Sequence, residues 1–287
     1  MSLFLPIVSK LSSESLLSLY PVFVKNINLP ISIQLLSRVV IYTLIAGFLC
    51  NFTFIREHIF TVMGLLLGIT NFIHIYTSYR GFQLLESGIA YTLFYTYPIM
   101  ILLISQQKIN MYVFIALLGV YLLTMEQQLQ KHENYENKKE ELKENFPYEG
   151  FAMIFFAALT EALIYFQVRK IPTKNNWNHL FISYFLSSVV MIAYTMYSKE
   201  FQHQDIQFKQ RFSFAIFLNG FIGTIGYFLR FYATTRIGPV LYSILSYFGI
   251  FMSFVYGIIF NKEQITWRKG LGALLIIISN YFIIKKI

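Results

Sequence analysis

Residues 126–149 read EQQLQKHENYENKKEELKENFPYE, the one long polar tract in the chain. Mixed charge and almost no apolar side chains leave it nothing with which to build a core. It therefore reads as a solvated linker, helical at most in part. Its position matters more than its chemistry: five apolar runs precede it and five follow.

A helix needs roughly 20 apolar residues to cross a bilayer. Ten stretches approach that length, near 3–25, 33–52, 59–79, 86–105, 109–127, 150–169, 178–198, 212–231, 238–260 and 267–285. Charged or turn-forming segments separate most of them, such as REH at 56–58, SQQKIN at 105–110, RKIPTKNN at 169–176 and NKEQITWRK at 261–269. Composition agrees. Of 287 residues, 56% are hydrophobic and 13% charged, about half the charged share of a soluble domain, and mean hydropathy is +0.55. The expected fold class is an all-α integral membrane protein of ten transmembrane helices. Residues 1–128 form a first five-helix unit, 129–148 the linker and 149–287 a second unit.

The two units share spaced residues. Arg80, Gly88 and Tyr97 recur 150 positions later as Arg230, Gly238 and Tyr247; SESLL (13–17) recurs as TEALI (160–164), pairing Glu14 with Glu161; Gly119 pairs with Gly272. Each unit has an odd number of spans, so the second inserts upside down relative to the first. Inverted repeats of this kind mark transporters, whose binding sites lie near the midplane between the repeats.

Other classes fit less well. The net charge of +9 could suggest nucleic acid, but Lys and Arg sit singly between apolar runs, as membrane-flanking charge does. A lone Cys50 leaves no disulfide framework and no cysteine-based metal site. Met1 to Val8 carries no basic residue and Lys10 falls inside the apolar stretch, so the N-terminus reads as a span and not as a secretory signal. The sequon Asn51-Phe52-Thr53 lies in a very short loop and is read as unglycosylated. No Ser/His/Asp grouping, HExxH or phosphate-binding glycine loop occurs, so no enzyme activity, cofactor or metal is expected.

At this point the residues resemble a known family. RGFQLLESGIAYTLFYTYPIMILLISQQKINMYVFIALLGVYLL in the first unit and residues 231–278 in the second resemble the EamA domain of the drug/metabolite transporter superfamily. Each has a small-residue approach to a helix and a closing Gly-containing helix. Pro98 in mid-helix and the acidic loop residue Glu263, nine before Gly272, complete the pattern. Lys25, Pro30 and Arg38 resemble the opening of a first repeat. The first unit has no acidic residue matching Glu263, and Phe248 stands opposite Pro98. The resemblance implies two inverted five-helix bundles around a central cavity, with both termini cytosolic.

Residues 10–21, KLSSESLLSLYP, supply the first candidate site residue. A carboxylate at the centre of a span costs at least ~2.5 kcal/mol and persists where it is paired or faces water. Glu14 and Glu161 are therefore candidates to bind a coupling proton or a cationic substrate, unless each is a protonated structural hydrogen-bond donor. Lys10 either pairs with Glu14 one turn on or snorkels to the interface. Read alone, Glu14→Gln removes a buried charge at constant shape and leaves folding intact. Asn71 and His74 fall inside the third span. Arg230, near a span end among apolar neighbours, suits an anionic substrate group. Tyr91 and Tyr95, on one face with Pro98, together with Tyr97, Tyr242 and Tyr247, suit a cavity for an amphipathic metabolite. The function expected is gradient- or exchange-driven transport of a small polar, amino-acid-like metabolite. The alternatives are a nucleotide, nucleotide-sugar or cofactor antiporter and a non-transporting scaffold or receptor subunit. The partners are the lipid bilayer, a small solute and a coupling proton.

Overall fold

The computed structural model describes residues 3–19, 31–85, 87–108, 110–122, 148–197, 210–261 and 266–286. Nearly all of the linker, Lys25, Pro30 and Glu263 lie outside these residues. Among the described residues every regular element is a helix. Apolar runs without water for a partner must pair their backbone groups internally, which a helix does segment by segment.

Helix α1 (Phe4–Leu17) occupies the first predicted stretch and α2 (Ile31–Leu49) the second. The loop expected at REH is itself a short helix, α3 (Phe52–His58), bent by 92° to α4 (Val62–Leu84). Asn51 starts α3 by accepting the Phe54 N–H on its side chain, the usual N-cap chemistry, so the sequon asparagine has a structural role. The fourth stretch is split into α5 (Ser87–Phe94) and α6 (Tyr97–Ile104), and α7 covers Met111–Leu122. After the linker come α8 (Tyr148–Lys170), α9 (Asn176–Tyr197) and α10 (Gln210–Thr234). The ninth stretch divides into α11 (Pro239–Ser246) and α12 (Phe248–Asn261), and α13 (Trp267–Lys285) closes the chain.

Among the described residues six helical stretches are long and apolar enough to cross a membrane: α2, α8, α9, 216–234 of α10, 239–260 across α11 and α12, and α13. Counting the bent α3–α4 pair makes seven. The described parts of the first, fourth and fifth stretches hold shorter helices. In the fourth the reason is local. Pro98 has no N–H to continue a helix and sits in the first turn of α6. The expectation of one unbroken face through Tyr91, Tyr95 and Pro98 therefore does not hold, because the helix stops at Phe94.

Helix pairing is symmetrical on exchange of the halves. α4 runs along α8 as α10 runs along α1; α9 meets α4 as α2 meets α10; α5 and α6 meet α8 as α11 and α12 meet α1. The contact of α2 with α9 maps onto itself. The same holds for Gly119 and Gly272: a Cβ on Gly119 would stand 2.7 Å from the Gly272 carbonyl oxygen. Only glycine permits that approach of α7 to α13.

Burial is reversed relative to a water-soluble protein. Phe4, Phe48, Phe60, Val62 and Trp267 are exposed on the outside, whereas Lys10, Glu14, Glu161 and Arg230 are buried. Exposed apolar area on this scale marks a surface made for a non-aqueous neighbour. Two apolar clusters fill the interior. One gathers α5, α6, α11 and α12 with parts of α1, α7, α8 and α13; the other gathers α2 and α9 with parts of α3, α4, α8 and α10. The buried charges sit where α1, α4, α8 and α10 meet.

Candidate functional site

The stripe that α1 turns inward is Pro6, Ile7, Ser9, Lys10, Ser13 and Glu14, residues three and four apart as one helical face requires. It delivers an ammonium and a carboxylate together. Lys10 Nζ donates to Glu14 Oε1 at 2.5 Å, both groups wholly buried, and also lies 3.6 Å from the centre of the Tyr242 ring. The pairing reading of Lys10 is the one realised; it does not snorkel.

Glu14 is saturated with donors. Oε1 also receives Arg230 Nη2 at 3.0 Å and the Tyr97 hydroxyl at 3.4 Å, and Oε2 receives the Tyr95 hydroxyl at 3.2 Å. Gly249, at the start of α12, makes room for this cluster. A Cβ there would strike the Tyr95 hydroxyl and lie 2.8 Å from Glu14 Oε2. Its carbonyl meanwhile accepts the Ser18 hydroxyl.

Glu161 stands differently. Its Oε1 receives Arg230 Nη1 at 2.5 Å, so one guanidinium bridges the carboxylates of both halves, the forked geometry that arginine supplies and lysine does not. Oε2 of Glu161 has no hydrogen-bond partner and lies 3.3 Å from His74 Nε2. His74 is placed by α4: Nδ1 lies 3.0 Å from the Ala157 carbonyl, and Nε2 lies 3.2 Å from the Tyr227 hydroxyl. Each half thus offers a carboxylate on its first helix to a basic group on the third helix of the other half.

Beside this cluster is a small cavity, partly open to the outside. Arg38, His74, Ser78 and Arg230 supply its polar wall, and Phe82, Tyr91, Phe94, Tyr95 and Tyr227 its aromatic wall. Arg38 stands among aromatic rings, 5.1 Å from the centre of Tyr42 and 5.5 Å from those of Tyr79 and Tyr227.

Of the residues singled out in the sequence, Glu14, Glu161, His74, Arg230, Tyr95 and Tyr97 come together in the charged cluster. Tyr91 joins the cavity wall, its ring stacked on Tyr95 and its hydroxyl donating to the Ser18 carbonyl. Asn71 does not join; its amide donates to the Ser183 carbonyl and ties α4 to α9. Tyr247 stays in the apolar cluster at the junction of α11 and α12, its hydroxyl buried without a hydrogen-bond partner. Arg230 is one turn inside α10 and already occupied by two carboxylates of the chain. Arg80, its sequence counterpart, lies at the surface with Glu149. The cluster also draws in Tyr227 and Tyr242. Tyr242 is among the tyrosines singled out in the sequence; Tyr227 is not, although it lies three residues before Arg230 on the same helical face.

An orphaned buried hydroxyl carries a desolvation penalty of about 1–3 kcal/mol. Tyr247→Phe should therefore leave stability unchanged or raise it by about 1 kcal/mol, read as the unfolding midpoint in detergent. Loss of stability would mean that the hydroxyl has a partner.

Residues 149–285 match the family model of the EamA-like transporter family. A solved structure titled only "Crystal structure of protein" aligns with 97% of this chain and 96% of its own, at a TM-score of 0.71 and 11% identity. That likeness concerns the fold alone. No curated protein matches the chain in sequence.

Proposed function

We propose that this chain, whose residues 149–285 match the EamA-like transporter family, is a multi-pass membrane protein of the drug/metabolite transporter superfamily and a secondary active transporter of a small polar metabolite. One observation carries the reading. Five buried ionisable groups, Lys10, Glu14 and His74 from the first half and Glu161 and Arg230 from the second, meet beside a cavity. Intramembrane charge is expensive and is retained on solute and ion pathways.

In this account residues 1–128 and 149–287 are two inverted five-span units, ten spans in all, joined by 129–148. The exchange symmetry of the helix contacts supports that division. The split fourth and ninth spans support it too, since broken helices line transporter sites. Rocking of one unit against the other exposes the cavity to each side in turn. Arg230 and Arg38 receive an anionic group of the solute, and Tyr91, Tyr95 and Tyr227 its apolar part. The two arginines also favour, as a second reading, a phosphate-bearing solute such as a nucleotide or nucleotide-sugar.

Purified protein in proteoliposomes, offered labelled amino acids, nucleotides and cofactors, tests the proposal. Saturable uptake or exchange of a member of the panel is expected. No flux across the panel from folded protein overturns the proposal in favour of a membrane scaffold.

The topology has its own test. Both termini should lie on the cytosolic side and the linker opposite. In a Cys50→Ser background, single cysteines at positions 137 and 286 should react with an impermeant thiol reagent from opposite sides. Reaction of both from the same side contradicts the inverted arrangement.

A further inference from the structure

The two carboxylates of the cluster are not equivalent, and the difference locates a proton. Glu14 receives four donors: Lys10, Arg230, Tyr95 and Tyr97. Glu161 receives Arg230 on one oxygen, while the other, fully buried, has no donor and faces His74 Nε2 at 3.3 Å.

The histidine's own bonds decide what Nε2 is. A carbonyl oxygen can only accept, so the 3.0 Å contact of Nδ1 with Ala157 requires a proton on Nδ1. In a neutral ring Nε2 then carries a lone pair. The Tyr227 hydroxyl at 3.2 Å can donate to it, but a carboxylate oxygen at 3.3 Å sets lone pair against lone pair in a buried site. One added proton removes the conflict. It sits either on Nε2, donated to Glu161, or on Glu161 Oε2, donated to Nε2.

We propose that the His74–Glu161 pair, between α4 and α8, is the site that binds and releases the coupling proton, and that Glu14 is not. The inference rests on the transport reading only for the word coupling; the proton site itself stands on this geometry. The groups that face the pair are Thr160 on α8, Tyr227 and Arg230 on α10, Arg38 on α2 and Phe94 on α5, with Lys10 and Glu14 of α1 beyond Arg230. Protonation cancels the negative charge on the pair and weakens Glu161's hold on Arg230, which lines the cavity. Proton and solute anion thereby share one guanidinium, which gives proton–anion symport.

The test is nitrogen-15 NMR of histidine-labelled full-length protein in lipid nanodiscs, with the His74 signal assigned by its loss in His74→Gln. The wild-type ring should keep Nδ1 protonated throughout and gain or lose only the Nε2 proton. At the pH where wild type is half protonated, Glu161→Gln should lower the ratio of doubly protonated to neutral ring at least about tenfold, one pKa unit, and the doubly protonated share with it. Glu14→Gln should change that share much less. A neutral ring with its proton on Nε2, measurable in wild type without any variant, overturns the proposal. So does an effect of Glu14→Gln larger than that of Glu161→Gln. The spectrum needs no solute. A titrating pair in a protein that moves nothing would sink the transport reading and keep the proton site; transport by a protein lacking the pair's signature would do the reverse.

Discussion

Arg230→Gln should abolish transport and destabilise the protein by about 3–5 kcal/mol, the usual consequence of removing one partner from a buried ionic group. Among the described residues the guanidinium is the one group bonded to the carboxylates of both halves, through Nη2 to Glu14 and Nη1 to Glu161. Without it Glu161 keeps only His74 as a basic neighbour, and the cavity loses a cationic wall. Arg230→Lys should rescue part of the stability and little of the transport, because an ammonium is a compact point charge without the planar spread that lets Nη1 and Nη2 reach separate carboxylates. Unfolding midpoints and uptake per inserted protein separate the two effects. Wild-type uptake by Arg230→Gln would remove the cluster from the pathway.

Glu14→Gln should be the more damaging of the two carboxylate replacements. The sequence alone suggests that this change merely relieves a span of a charge. The structure reverses that expectation, because Lys10 is packed against Glu14 with no exposure and Arg230 leans on the same oxygen. The glutamine leaves the Lys10 ammonium buried with an aromatic ring in place of a counter-charge, at a cost of about 3–5 kcal/mol. Lys10→Met combined with Glu14→Gln removes both members and should recover at least about half of the loss, a coupling that a double-mutant cycle reads directly. Additive losses would mean that the two residues are energetically independent.

How much of this was legible beforehand depends on the kind of signal. Apolar runs of span length are a property of local composition, so the helical class followed from the sequence. The polar tract at 126–149 lies outside the described residues except for Tyr148 and Glu149, and the division into halves that it suggests remains part of the proposal. The breaks did not follow. Pro98 looked like a residue inside a helix, whereas it starts one, and nothing in YSILSYFG marks Tyr247 as the end of another. The repeat matched Glu14 to Glu161, and both carboxylates bond Arg230; it also matched Arg80, which lies at the surface with Glu149. Sequence offset matched it to Arg230, while in space the group that answers Arg230 across the interface is His74. The reason is geometric: α4 and α10 each face a carboxylate on the other half, and register between packed helices is set by packing and not by sequence offset. Tyr97 and Tyr247 were alike by offset only; one hydroxyl reaches Glu14 and the other reaches nothing.

The central claim, a cavity between the halves that opens to each side in turn, is tested most directly at Ser78. This α4 residue is buried on the cavity wall, and its hydroxyl bonds only within its own helix, to the Ile75 carbonyl, so cysteine is a mild replacement. With Cys50 replaced by serine, Ser78→Cys becomes the sole thiol, and its reaction with an impermeant reagent can be timed from either face of sealed vesicles. Alternating access predicts labelling from both faces, with a transported solute on one side raising the rate from one face and lowering it from the other. Labelling from one face only, unaffected by solute in a protein that transports it, would contradict the account.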